Sequence, residues 1–281
     1  MGIIIVLAAL VVGVFSIIKY ARKAYPANTE GMTWLTTKLI AHRGIHDKKS
    51  NIPENSLQAF ALAIEKGYPI ELDISLTKDS KLVIIHDKKL KRLFGLNTYL
   101  SDATYEELSK LKIQNSNETV PLFSEVLTFV AGRVPLLIEI KNEGKVGLME
   151  SMVYEDLKEY QGKYAIQSFN PYTVKWFRIN APNVFRGQLA GSNIVSDYEV
   201  EYQGTSQLPW YKSILLKNLL LNFESKPNFI AYEVKYTSND YAKNLRKLGV
   251  PIIGWSIQDQ AEYDKVKAAY DNFIVDETNL K

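Results

Sequence analysis

A chain of 281 residues with 46% hydrophobic and 23% charged side chains holds enough apolar material for one enzyme-sized core and lacks the low-hydrophobicity, high-charge signature of disorder. Thirty-four Lys and Arg against 31 Asp and Glu leave a formal charge of +3, too small an excess for a nucleic-acid-binding footprint, so nucleic acid is set aside as a partner. Cysteine is absent, which excludes disulfides and thiolate metal sites; any bound metal must use oxygen or imidazole ligands.

The chain opens on an uncharged run from Gly2 to Ile18, about 17 residues long and near the lower limit for a helix that spans a bilayer. No Lys or Arg precedes it, and KYARKAYP follows where a cleavage site needs small neutral residues. A single-pass transmembrane anchor over residues 1–23 is therefore favoured over a cleaved signal peptide or a buried core helix. Lys19, Arg22 and Lys23 follow the run, and the positive-inside rule then places the remainder on the cytoplasmic side. A polar linker over residues 24–37 leads into one domain over residues 38–281.

Within that domain short apolar runs alternate with amphipathic stretches, which predicts an α/β fold, a TIM (β/α)₈ barrel. Strands are expected at Leu39–His42, Ile70–Asp73, Leu82–His86, Leu136–Ile140, Tyr164–Gln167, Val184–Gln188, Phe229–Tyr232, Pro251–Trp255 and Phe273–Val275, one more than a barrel holds. Helices fit between most of them, for example Asn55–Lys66 with Leu57, Phe60, Ala61 and Ile64 on one face, and Ser238–Leu248 closed by Gly249. Between Asp73 and Leu82 only ISLTKDSK intervenes, too short for a crossover helix, so a tight irregular connection is expected there. Gln203–Phe223, containing WYKSILLKNLLL, is an extra apolar segment, either a lid or a long barrel helix.

Histidine occurs only at His42, His46 and His86. In a barrel the C-terminal strand ends gather at one mouth, so His42, Glu71, Asp73, His86 and Glu139 would converge there. Glu71 and Asp73 stand two apart on a strand and share a face, while Ile70, Leu72 and Ile74 take the other. Two buried carboxylates side by side are costly unless a cation neutralises them, and oxygen ligands without thiols suit Mg²⁺ or Ca²⁺ rather than zinc. The bland alternative is an ion pair to Lys or Arg. Glu139 and Lys141 repeat the geometry in LLIEIKNEG; Glu139 would complete the metal site and Lys141 would offer charge to a phosphate oxygen. His42 and His86 are the expected acid and base.

LIAHRG, PENSLQAF, ELDISLTKDSKLVIIHDKKLKR and LLIEIK, in that order, resemble the glycerophosphodiester phosphodiesterases, densely at first and loosely thereafter, from about Leu39 to Asp276. The resemblance implies a TIM barrel, one divalent cation held by Glu71, Asp73 and Glu139, catalysis by His42 and His86, and phosphate contacts from Arg43 and Lys141. It further implies that one histidine deprotonates the glycerol hydroxyl next to the phosphate while the other protonates the departing alcohol, and that water then opens the cyclic ester. The substrate would be a glycerophosphodiester or, for an enzyme anchored at a membrane, a lyso-lipid. Trp255, in PIIGWSIQDQ, lines the alcohol pocket or belongs to the core. Asn55 is read as a helix N-cap and His46 as a solvated loop residue. Two departures, Gln258 in WSIQ and Val275 in NFIVD, suggest an atypical pocket. A non-catalytic glycerophosphate-binding barrel and a lyase that stops at the cyclic product are the competing readings.

Overall fold

The computed structural model describes residues 2–26, 31–47, 49–142, 144–192, 195–276 and 280. The strands are β1 (Ile40–Ala41), β2 (Ile70–Leu76), β3 (Leu82–Ile84), β4 (Leu136–Ile140), β5 (Tyr164–Ser168), β6 (Arg186–Ala190), β7 (Phe229–Glu233), β8 (Ile252–Ile257) and β9 (Asn272–Val275). All except β3 pair in parallel, β2 to β4 and onward to β9, and β1 closes the ring by pairing with both β9 and β2. The result is the expected eight-stranded barrel.

The surplus strand has a simple cause. β3 folds back antiparallel on β2, with Ile74 opposite Ile84 and Leu76 opposite Leu82, and an antiparallel pair needs no crossover helix. The short ISLTKDSK segment therefore makes a hairpin, in which Thr77 Oγ1 accepts from Lys81 N at 2.9 Å. Because β3 runs back down along β2, its far end comes level with the metal-ligand candidates: Ile85 N donates to Asp73 O at 3.0 Å. His86 thus arrives at the barrel mouth from an antiparallel strand, not from a barrel strand end.

Strand alternation sorts the rest. Ile40, Leu137, Ala165, Leu189, Phe229, Ala231, Ile253 and Ile274 fill the barrel interior. Their neighbours face the helices, where Ile70, Leu72, Ile74, Ile138 and Ile140 pack with Phe60, Phe123 and Phe177. Fully burying each such side chain is worth about 1.5–3 kcal/mol, so this outer layer carries much of the stability. The stretch expected as a linker ends in a short helix, Trp34–Thr37, whose Trp34 and Leu35 join the interior cluster and plug the barrel below Ile40. Asn272 Nδ2 ties it down by donating to Leu35 O and Lys38 O.

At the amino terminus Gly2–Ala21 forms one helix. The expected transmembrane span is not borne out: among the described residues no helix is long and apolar enough to cross a membrane. The uncharged run stops at Lys19, and about 17 residues at 1.5 Å each reach about 25 Å, short of the roughly 30 Å hydrocarbon core. The Gln203–Phe223 segment does not form the one long barrel helix that was one of its two expected forms. A π-helical turn, Glu199–Gln203, lies over the loop after His86, where Gln203 O accepts from Lys88 N and Lys89 N, whereas Trp210–Lys217 continues as an exposed helix.

Candidate active site

The mouth layer begins with β2 and β4. Asp73 and Glu139 are register partners, so their side chains and that of Glu71 enter the same end of the lumen. Each offers an oxygen, and these oxygens lie within 4.8 Å of one another. All three residues are buried. Burial, followed by the charges of Asp73 and Glu139, pushes the Glu71 carboxyl well above the ordinary range. Glu139 is raised by burial too, with Lys141 opposing. Asp73 goes the other way: burial alone would raise it, but Lys141 and then Arg43 hold it far below the usual carboxylate range.

Lys141 Nζ lies 2.8 Å from Glu139 Oε1 and 3.2 Å from Asp73 Oδ1, and Arg43 Nε lies 3.2 Å from Asp73 Oδ2. The ion-pair alternative is thus partly realised, yet Asp73 Oδ1 is buried and accepts no hydrogen bond. A buried carboxylate oxygen that accepts no hydrogen bond, between two carboxyls whose pKa values burial raises, fits a hard divalent cation with oxygen ligands.

Asn55 corrects the sequence reading. The N-cap of the helix Leu57–Glu65 is Ser56, which accepts from Ala59 N. Asn55 is buried at a left-handed φ of 55°, and its Nδ2 donates to Asp73 Oδ2 at 2.9 Å. It braces a ligand candidate.

Both histidines are held from behind. His42 Nδ1 is 2.6 Å from Asp276 Oδ1, and Ser256 Oγ donates to Asp276 Oδ2 at 3.1 Å. His86 Nδ1 is 2.9 Å from Asp87 Oδ1. Arg92 clamps Asp87 through Nε and Nη2 and reaches Glu54 through Nη1 and Nη2, while Glu54 also accepts from Arg43 Nη1 at 2.5 Å. A carboxylate at Nδ1 places the proton there and leaves Nε2 as the working nitrogen on each ring. Burial, then the charges of Arg43 and Lys141, push His86 down to about 4, so its ring is neutral at neutral pH. Asp276 is held far below the usual range by His42 in spite of its burial.

The sequence reading gives these partners no role, although HDKKLKR carries a signal, an Asp adjoining His86 and an Arg five residues beyond it. His46, expected as a solvated loop residue, is only partly exposed, with its Nε2 buried 3.5 Å from Asp276 Oδ1. Trp255 reaches the mouth, with its ring edge-on to Phe169 at 5.5 Å. The two departures do not reach it. Gln258 is exposed, with its backbone N–H on Glu262, and Val275 points outward into the helix-facing core.

The ring of acid, imidazole and guanidinium groups at one barrel mouth suits phosphoryl chemistry, and comparison decides the family. Residues 42–280 match the Glycerophosphoryl diester phosphodiesterase family. The chain belongs to this family. It is 28% identical to the glycerophosphodiester phosphodiesterase of Caldanaerobacter subterraneus subsp. tengcongensis over 86% of this chain and 95% of that one. It is 33% identical to human lysophospholipase D GDPD1, over 46% of this chain and 43% of that one. The crystal structure of the glycerophosphodiester phosphodiesterase of Thermotoga maritima superposes with a TM-score of 0.61 at 25% identity, covering 85% of this chain and 94% of that one. Like those relatives, this phosphodiesterase is an enzyme.

The His42–Asp276 contact leads to a direct expectation for this phosphodiesterase. Asp276→Asn keeps the shape and the Ser256 contact but loses the charge that fixes the His42 tautomer. Steady-state kinetics should show kcat reduced at least about tenfold with KM nearly unchanged. An unaltered kcat would remove Asp276 from the account of His42.

Proposed function

We propose that this enzyme hydrolyses glycerophosphodiesters to glycerol phosphate and an alcohol. The observation that carries this reading is the pair of imidazoles, each with its Nδ1 on a carboxylate, at the same mouth as three clustered acids. His86, neutral and held by Asp87, takes the proton of the glycerol hydroxyl next to the phosphate. The hydroxyl oxygen then attacks phosphorus, and His42, backed by ionised Asp276, hands a proton to the departing alcohol. Water opens the cyclic ester with the two roles reversed. Arg43 and Lys141 hold positive charge beside the phosphoryl oxygens as negative charge builds. Glu71, Asp73 and Glu139 would hold one divalent cation, Mg²⁺ or Ca²⁺. When bound, that cation polarises a phosphoryl oxygen as a Lewis acid.

A lysophospholipase D activity on membrane lyso-lipids is the second reading, favoured by the likeness to human lysophospholipase D GDPD1. The complete set of His, Glu and Asp argues against a non-catalytic glycerophosphate-binding barrel. We further infer a position at a membrane surface. Val6, Leu10, Phe15 and Ile17 are exposed, and the basic residues Lys19, Arg22 and Lys23 follow them.

The test is ³¹P NMR of the full chain with added Mg²⁺ or Ca²⁺ on glycerophosphocholine, glycerophosphoglycerol and lysophosphatidylcholine. Release of glycerol phosphate from the soluble diesters supports the first reading, and release of lysophosphatidic acid supports the second. Absence of any phosphomonoester contradicts both.

A further inference from the structure

One carboxylate at the mouth has no part in the reaction above. Among the described residues Glu54, Asp73, Asp87, Glu139 and Asp276 each pair with an Arg, Lys or His, and Glu71 belongs to the acidic trio. Glu233, at the end of β7, pairs with no basic side chain among the described residues. Its carboxylate is nevertheless fixed: Oε2 accepts from Ser192 N at 2.7 Å and from Ser192 Oγ at 2.5 Å. The neighbouring strand end makes room for it. A Cβ on Gly191 would stand 2.8 Å from Glu233 Cβ and 2.9 Å from Oε2, so any larger residue would displace the carboxylate.

On the other side Glu233 is the register partner of Trp255, whose half-buried ring meets Phe169 edge-on at 5.5 Å and 88°. A fixed carboxylate with no basic partner among the described residues, beside Trp255, whose ring meets that of Phe169, is an environment that favours an organic cation. Its place in the mouth is equally telling. Ser256, the residue after Trp255, donates to Asp276, the partner of His42. This wall therefore lies on the side where His42 would protonate the leaving alcohol.

We propose that Glu233, Trp255 and Phe169 form a subsite for a cationic leaving alcohol, one that carries a quaternary or primary ammonium group. The inference rests on the phosphodiesterase reading and on His42 as the proton donor to that alcohol. It concerns the head group alone, whether the glycerol side is free or acylated.

Two measurements on the full-length enzyme with added Mg²⁺ test it. In the first, hydrolysis of glycerophosphoglycerol is inhibited by choline or by 3,3-dimethylbutan-1-ol, which has the same shape without the charge. Choline is expected to inhibit at a concentration about tenfold lower, and Glu233→Gln to collapse that difference. In the second, the ratio of kcat/KM for glycerophosphocholine to that for glycerophosphoglycerol should fall about tenfold in Glu233→Gln and also in Trp255→Leu, while Trp255→Phe, which keeps an aromatic face, retains most of it. Gln keeps an acceptor for Ser192, and a retained circular dichroism spectrum ties a changed ratio to the lost charge. Equal inhibition by both alcohols, or a ratio that Glu233→Gln leaves unmoved, overturns the subsite while the phosphodiesterase reading stands. Failure to hydrolyse either diester overturns both.

Discussion

Replacing His42 or His86 by alanine is expected to lower kcat/KM for a soluble glycerophosphodiester by about 10³-fold, within the 10²–10⁴ that positioned proton transfer contributes. The double replacement should cost little beyond the first, because the two rings serve a single proton circuit and residues that act as a unit are not additive. The two single variants should also differ in kind. His86 is held down to about 4, so protonation disables it as a base only when the pH falls through about 4. His42 has Asp276 at its Nδ1, and its loss removes the proton donor. An activated substrate whose leaving group needs no proton, such as a p-nitrophenyl glycerophosphate, should therefore restore activity to His42→Ala and not to His86→Ala. Equal rescue of both would contradict the division of roles.

Glu71→Gln is expected to abolish divalent-cation binding and activity while making the metal-free protein more stable, by about 1–2 kcal/mol in chemical denaturation. The reason lies in the sign of the shift. The folded-state Glu71 carboxyl is raised by burial and by its acidic neighbours, so the folded chain holds a proton that the unfolded chain gives up. Stability contributed by this group is therefore complete below the unfolded carboxyl range and declines as the pH rises toward the raised value. The glutamine variant should lack that decline. For the same reason cation affinity should fall on acidification, because the ion must displace the proton held at Glu71. Isothermal titration with Mg²⁺ and Ca²⁺ at pH 6 and pH 8 reads both effects. A glutamine variant that binds the ion unchanged would take Glu71 out of the site.

Much of this site was legible because strand geometry is strict. The two-residue period of Glu71 and Asp73 between Ile70, Leu72 and Ile74 leaves a single way to bury the isoleucines, and it turns both acids into the lumen. The same rule places Glu139 and Lys141. His86 was expected at the mouth on the premise of a barrel strand; the hairpin of β3 on β2 delivers it there by another route. Asn55 was misread because a polar residue before a helix has two uses for its amide, and the choice was made by a left-handed backbone turn and by the Asp73 acceptor across the fold.

Gln258 lies beyond a register irregularity in β8, after which the alternation no longer carries over. Val275 precedes inward-facing Asp276 and so turns outward, which strand parity alone permitted to be read. The chain from His86 through Asp87, Arg92 and Glu54 to Arg43, and the lack of a basic partner for Glu233 among the described residues, arise from tertiary neighbours that no local pattern encodes.

The most direct test of the central claim is hydrolysis of glycerophosphocholine by the full-length enzyme, followed by ³¹P NMR before and after removal of divalent cations with excess chelator, and again after Mg²⁺ or Ca²⁺ is restored. Glycerol phosphate should accumulate with the cation, stop on chelation and resume on restoration. Undiminished release of glycerol phosphate in excess chelator would contradict the account.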